Sequence, residues 1–223
     1  MKIKAAVLRE VGVQPPYSIS KPLSIEEVNL EPPAQDEVLV KIRVAGLCHS
    51  DLSVINGDRP RDVPIVLGHE ACAEIVELGP GVKNFKKGDL VVLVFVPSCG
   101  NCSPCMESTR ALCEPGGRAN TNGTLLSGQR RLSKNGEYLN HHTGVSCFAE
   151  YAVVSTASCV KVPNYLDPRT AALFGCAVLT GAGAVLNRTN IRAGDSAAVI
   201  GVGGVGVSSL LAARAAGAEK LVA

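Results

Sequence analysis

The chain predicts a β-rich, barrel-type domain followed by the start of a doubly wound α/β domain. Three observations carry this. Short alternating or apolar runs separated by Gly and Pro fill the first part, the pattern of a small all-β barrel. A cysteine cluster interrupts them at Cys99, Cys102, Cys105 and Cys113. Near the end, an apolar run, a glycine-rich turn and an Ala/Leu-rich helical run follow in succession, which is strand–turn–helix order. The expected domains are 1–160, with a cysteine lobe over 98–114, and 161–223.

Taken in order, Ile3–Leu8 alternates weakly and Glu37–Val44 clearly, with β-branched residues on one face, so both read as strands. Ser50–Ile55 is compatible with a short helix ended by Asn56-Gly57. Ala71–Leu78 and Leu90–Val96 are strands bounded by the turns Gly79-Pro80-Gly81 and Lys87-Gly88-Asp89. From Ser98 to His142 the pattern fails, apart from a hairpin turn expected at Asn135-Gly136. Phe148–Val154 resumes as a strand. Asp167-Pro168 starts helical sequence that runs to about Leu186, Asp serving as N-cap and Pro as first-turn residue. Ser196–Ile200 is a strand, Val207–Ala216 a helix, and Lys220 opens another strand.

A net charge of +2 argues against nucleic-acid binding, which needs a clustered basic face. The N-terminus has no signal-peptide core, and the longest apolar stretch, 171–186, is interrupted by glycines and shorter than a membrane span. A cytoplasmic protein without a membrane partner is expected. Nine cysteines, an odd number without an export signal, point to metal binding or catalysis rather than a disulfide framework.

Cys99-x-x-Cys102-x-x-Cys105 with Cys113 beyond it offers four thiolates to one ion, a closed tetrahedral set that suits structural zinc. An iron–sulfur cluster would use the same four thiols, and a redox dithiol only two. Elsewhere, Cys48, His69 and Cys176 make a two-thiol, one-imidazole set. Zinc held that way keeps a fourth position open for water or substrate. Cys72, Cys147 and Cys159 lie in strand-like sequence and read as packing thiols. Adjacent His141 and His142 read as a surface or substrate-side loop, because neighbouring residues do not easily present both rings to one ion.

Gly201-Val202-Gly203-Gly204-Val205-Gly206 has the strand before it and the helix after it that dinucleotide binding requires. The first glycine permits the turn, the second lets a pyrophosphate approach, and the third packs helix on strand. The residue that separates NAD from NADP falls some 20 positions on, at or beyond Ala223; NAD is the expectation. A lone β-α unit does not complete a doubly wound sheet, so the chain reads as part of a longer enzyme.

These motifs, in this order, closely resemble the zinc-dependent medium-chain alcohol dehydrogenases. The carrying residues are Cys48-His49-Ser50-Asp51, Gly68-His69-Glu70, the four-cysteine lobe, Gly175-Cys176 with Thr180-Gly181, and the glycine turn. The resemblance implies a GroES-like catalytic domain followed by a Rossmann domain, here truncated. It implies two zinc ions: a catalytic one on Cys48, His69 and Cys176, and a structural one on Cys99, Cys102, Cys105 and Cys113. Glu70 is then a carboxylate near the catalytic metal, Asp51 the hydrogen-bond partner of the ligand imidazole, and Ser50 the hydroxyl that takes the alcohol proton. His49 would contact the cofactor pyrophosphate, and Thr180 and Val205 would stand near the nicotinamide. Ser53 sits where many members carry a proton-relaying His. The implied reaction is hydride transfer between a primary alcohol or aldehyde and a nicotinamide, in a homodimer or homotetramer. A thiol-dependent formaldehyde dehydrogenase acting on an S-hydroxymethyl adduct is one alternative. An inactive, zinc-stabilised binding module is another, from a different class.

Overall fold

A computed structural model describes residues 1–223. The chain forms two compact units, Met1–Ala172 and Leu173–Ala223. The first contains ten strands: β1 (Lys2–Leu8), β2 (Leu23–Leu30), β3 (Glu37–Ala45), β4 (Ile65–Val66), β5 (Ala71–Leu78), β6 (Leu90–Leu93), β7 (Leu132–Lys134), β8 (Glu137–His141), β9 (Tyr151–Ser155) and β10 (Cys159–Val162). Its helices are α1 (Tyr17–Ser20), α2 (His49–Ile55), α3 (Ser103–Met106), α4 (Glu114–Thr121) and α5 (Pro168–Ala172).

Five strands close a barrel in the order β1-β2-β7-β8-β4. All neighbours are antiparallel except β4 and β8, which pair in parallel through Ile65 with Asn140 and Val66 with His141. The remaining five form an antiparallel sheet, β10-β6-β5-β3-β9. Two irregularities interrupt the β3–β5 register, between Leu39 and Val40 and between Ile42 and Val44. The alternation in β3 and β5 sends Val38, Val40, Ala71, Ala73 and Ile75 into one core. Ile3, Ala5, Val7, Val28 and Leu30 line a second, inside the barrel. The barrel-type expectation therefore holds, and closure leaves that sheet without exposed edges.

Several expected boundaries move. The strand expected at Phe148 begins at Tyr151, because the Phe148 backbone is engaged elsewhere: its carbonyl accepts from Ala6 and its N–H donates to Leu67. The strand from Leu90 stops at Leu93, and the Phe95 carbonyl beyond it accepts from the Asn120 side chain. The stretch 98–142 is not one long loop; it holds α3, α4 and the β7–β8 hairpin, whose turn is Asn135-Gly136 as expected. β2 is a strand that the sequence pattern did not single out, and β10 was marked only by the strand-like surroundings of Cys159. Only the second half of β2 alternates, with Val28 and Leu30 inward.

The second unit contains α6 (Ala177–Arg188), β11 (Ser196–Ala198), α7 (Gly204–Ala215) and β12 (Lys220–Val222). β11 and β12 pair in parallel, so α7 is a β-α-β crossover helix. The helical stretch expected over 168–186 is broken: Cys176 is non-helical, at φ −142° and ψ −76°, and caps the start of α6. No single helix is long and apolar enough to cross a membrane.

Candidate functional site

Cys48 is the N-cap of α2 and Asp51 its third residue. That spacing brings the Asp51 carboxylate back to the first turn, where Oδ2 accepts from the Cys48 N–H at 3.2 Å. The other oxygen reaches out of the helix. Asp51 Oδ1 accepts from the Gly68 N–H at 3.2 Å and lies 3.0 Å from His69 Nδ1. Asp51 is 3% exposed. Burial alone would raise its pKa, but the neighbouring imidazoles of His142 and His69 hold it well below the usual carboxylate range. A charged carboxylate against Nδ1 fixes the proton there and leaves Nε2 as the ligating atom of His69. Cys48 Sγ and the His69 ring nitrogen lie within 4.8 Å of each other. Burial lowers the His69 pKa, but Asp51 and then Cys48 more than offset it, and the net shift is upward.

Gly68 makes this approach possible. Its φ is +91°, and a Cβ there would stand 2.7 Å from the Phe148 backbone nitrogen and 2.8 Å from Cys147 Sγ. Only glycine fits so tight a left-handed position. Glu70 is buried, not solvent-facing; its carboxylate lies over Gly46, where a Cβ would stand 2.5 Å from Oε1. Phe95 meets the His69 ring edge-on at 5.8 Å. Ser50 is half-buried and His49 exposed. Ser53 Oγ donates to the His49 carbonyl at 3.1 Å and lies 3.4 Å from His49 Nδ1.

His141 and His142 overturn the surface half of the expected surface or substrate-side loop. They are 1% and 3% exposed. His141 is the last residue of β8, and its Nε2 accepts from the Arg131 N–H at 3.0 Å. His142 lies beyond the strand end, with its Nδ1 3.3 Å from Asp51 Oδ1 and its ring edge-on to His69 at 5.3 Å. Adjacent residues at a strand end point to opposite faces, so the pair serves two environments. That alternation, carried on from the Asn135-Gly136 turn, was the signal available in sequence.

In the lobe, Cys99, Cys102, Cys105 and Cys113 bring their sulfurs within 4.8 Å of one another. Cys99 and Cys105 are 4.0 Å apart, and Cys102 and Cys113 3.9 Å. A tetrahedron with zinc–sulfur bonds of about 2.3 Å has edges of about 3.8 Å, so the donor set fits that ion. Cys113 Sγ also accepts from the Cys99 N–H at 3.2 Å and from the Gly116 N–H at 3.4 Å, the latter capping α4. Backbone donors at Asn101 and Cys102 pull the Cys99 thiol down to about 6, while burial pushes Cys105 up to about 11. Cys72, Cys147 and Cys159 are inert by comparison. Burial raises all three, Cys72 to about 11 and Cys159 to about 12.

The glycine turn divides its labour as the motif requires. Gly201 has φ +99°, and a Cβ on Gly203 would meet nothing within 4 Å. A Cβ on Gly206 would lie 1.8 Å from the Gly201 carbonyl oxygen. The third glycine thus packs helix on turn, and the second opens backbone to whatever approaches the start of α7. Val202 and Val205 are exposed beside it, and Gly204 faces Ala177 Cβ at 3.2 Å from its own Cβ position. On α6, Thr180 is exposed, and Gly181 lets α7 close in: its Cβ would stand 2.2 Å from the Val205 carbonyl oxygen.

Comparison with known proteins agrees with this geometry. The profile described as alcohol dehydrogenase GroES-like domain matches residues 34–164. The chain is 40% identical over 224 residues to an S-(hydroxymethyl)glutathione dehydrogenase of Synechocystis, covering all of the chain and 58% of that protein. Among solved structures it is similar to an alcohol dehydrogenase zinc-binding domain protein from Burkholderia ambifaria, with TM-score 0.90, 38% identity, and 99% of this chain and 58% of that one covered. Benzyl alcohol dehydrogenase from Acinetobacter calcoaceticus matches with TM-score 0.88 at 33% identity, over 99% of this chain and 57% of that one. The chain therefore spans little more than half the length of the relatives it matches. A β barrel with a buried Asp–His pair, a four-thiol lobe and a profile match over most of the first unit lead to one conclusion: the chain belongs to the alcohol dehydrogenase GroES-like domain family.

Proposed function

We propose that the chain supplies the catalytic domain, and the opening of a Rossmann cofactor domain, of an oxidoreductase that moves hydride between a primary alcohol or aldehyde and a nicotinamide cofactor, NAD. The observation that carries this is the Asp51–His69 pair beside Cys48. A buried carboxylate that holds Nδ1 is what a metal-binding imidazole needs. Cys176 is the third ligand in this reading, and Glu70 the carboxylate near the metal. Bound zinc would act there as a Lewis acid on the substrate oxygen; the nicotinamide would accept the hydride. The side chains do the rest. Ser50 Oγ accepts from the substrate hydroxyl and, as it takes that proton, releases its own to solvent, since Ser53 stands where many relatives carry a relaying His. Phe95 walls the imidazole, and His49, the first residue of α2, would offer a ring N–H to the pyrophosphate. Thr180 and Val205 flank the nicotinamide, and Gly201–Gly206 with the α7 N-terminus cradle the phosphates. The four-cysteine lobe holds a second, structural zinc.

The 40% identity to an S-(hydroxymethyl)glutathione dehydrogenase favours a second substrate reading, an S-hydroxymethyl thiol adduct. The likeness to benzyl alcohol dehydrogenase favours a plain aromatic alcohol. Adding glutathione to the assay separates them. The cytoplasm and a homodimer or homotetramer complete the reading. Metal analysis tests its core: two zinc ions per chain are expected, and one in Cys48→Ala. A single ion in the unaltered protein, unchanged in Cys48→Ala, would leave only a zinc-stabilised binding module.

A further inference from the structure

Asp51 Oδ1 faces not one imidazole but two. His69 Nδ1 lies at 3.0 Å and His142 Nδ1 at 3.3 Å, with the rings nearly perpendicular at 88°. All three side chains are almost wholly buried, at 3–4% residue exposure. His142 Nδ1 has no aligned hydrogen-bond partner, so the carboxylate is what this buried N–H can turn to. An unpaired buried donor is costly, which keeps the ring leaning on Asp51. The His142 backbone is pinned separately: its N–H donates to Ser146 Oγ at 2.9 Å, and that hydroxyl donates to the Val66 carbonyl at 2.8 Å. His142 is thus a fixed wall against which the Asp51–His69 pair is set.

We propose that His142 is a positioning residue of the Cys48–His69 metal centre. Its Nδ1–H shares Asp51 with the ligand ring, and that second donor fixes the carboxylate that orients His69. This rests on the metal reading given above. It adds that the carboxylate is held from two sides, so metal retention depends on a residue that touches neither metal nor substrate. Partners of ligating groups commonly set metal affinity by tenfold to a hundredfold.

The donor and the bulk of the ring separate chemically. Phenylalanine at 142 keeps an edge-on ring but has no donor. Asparagine places an amide nitrogen near the position of Nδ1 and keeps the donor without the ring. The probe is cobalt(II)-loaded protein. Subtracting the spectrum of Cys48→Ala isolates the Cys48–His69 centre from the lobe, and the lobe signal reports that each variant is folded. The expected result is that a chelator strips cobalt from that centre about tenfold faster in His142→Phe, with a shifted visible band. His142→Asn should stay within about threefold of the unaltered protein, and the lobe should release its ion at the same rate in all three. Equal release from the centre in all three proteins would overturn the inference. So would equal acceleration in both variants, which would mark His142 as packing alone. If the unaltered protein gave no spectrum beyond that of Cys48→Ala, the metal reading itself would fall, a different and recognisable failure.

Discussion

His141 is the residue whose chemistry is least compatible with its surroundings. Its Nε2 accepts from the Arg131 N–H, so the ring proton sits on Nδ1, a buried atom with no hydrogen-bond partner. Burial, then the charges of Arg130 and Arg131, push its pKa down to about 3, against about 6.5 in an unfolded chain. Between those values the unfolded chain binds a proton that the fold refuses. Stability therefore falls as pH drops below about 6.5, by up to about 1.4 kcal/mol per pH unit, and levels off near the folded value. Glutamine at 141 can accept from Arg131 without titrating. Between pH 7 and pH 5, His141→Gln should lose about 2 kcal/mol less stability than the unaltered chain in urea unfolding. Equal losses would mean that the imidazole does take up a proton in place. At this scale the sequence was legible where a side chain belongs to a motif that carries the family resemblance, as with Asp51, which lies against both the Cys48 N–H and His69 Nδ1. For His142 alternation could say only that it faces away from His141; no local pattern says that the residue beyond β8 turns back onto a helix some ninety positions earlier.

Among elements, the lobe after β6 shows a single side chain with two tasks. Cys113 Sγ caps α4 through the Gly116 N–H and also belongs to the four-sulfur set. Serine retains the cap, since a hydroxyl is a good N-cap acceptor, but is a poor ligand for a thiophilic ion. Alanine removes both functions. Each variant should lose one zinc per chain. Hydrogen exchange should rise in both from Cys99 to Thr121, with Cys113→Ala less stable than Cys113→Ser by about 1 kcal/mol. Unchanged zinc content in Cys113→Ser would remove that thiol from the site. The same lobe shows what period and punctuation miss. Its helices are four and eight residues long, too short to show a periodic apolar face, and its four sulfurs converge in a way that sequence periodicity does not encode. β3 was legible because its apolar residues alternate, and β5 because it is an apolar run bounded by turns, although both faces are buried over Glu37–Val40 and Ala71–Ala73.

At the scale of the whole chain, the two units bury very different amounts of apolar surface. The first holds four buried clusters, with Val7, Leu67, Ile75 and Leu93 wholly inaccessible. The second holds one, built on Val185, Ala212 and Ala213. Its sheet is two strands of three residues each, and every residue of β12 is exposed. A two-stranded sheet with so small a core is marginal in water, and local opening follows local burial. Native-state hydrogen exchange of this 223-residue chain should therefore divide at the unit boundary. Amides of β3 and β5 should exchange only on global opening, and those of β11 and β12 about a hundredfold faster or more. NAD binds the folded glycine turn in the proposed reading and not the open one, so saturating cofactor should slow exchange at Gly201–Gly206 and along α7. It should leave β1 and β2 untouched. Uniform protection along the chain would show that the second unit is stabilised by something other than its own core. Protection that ignores NAD would separate the glycine turn from the cofactor role assigned to it.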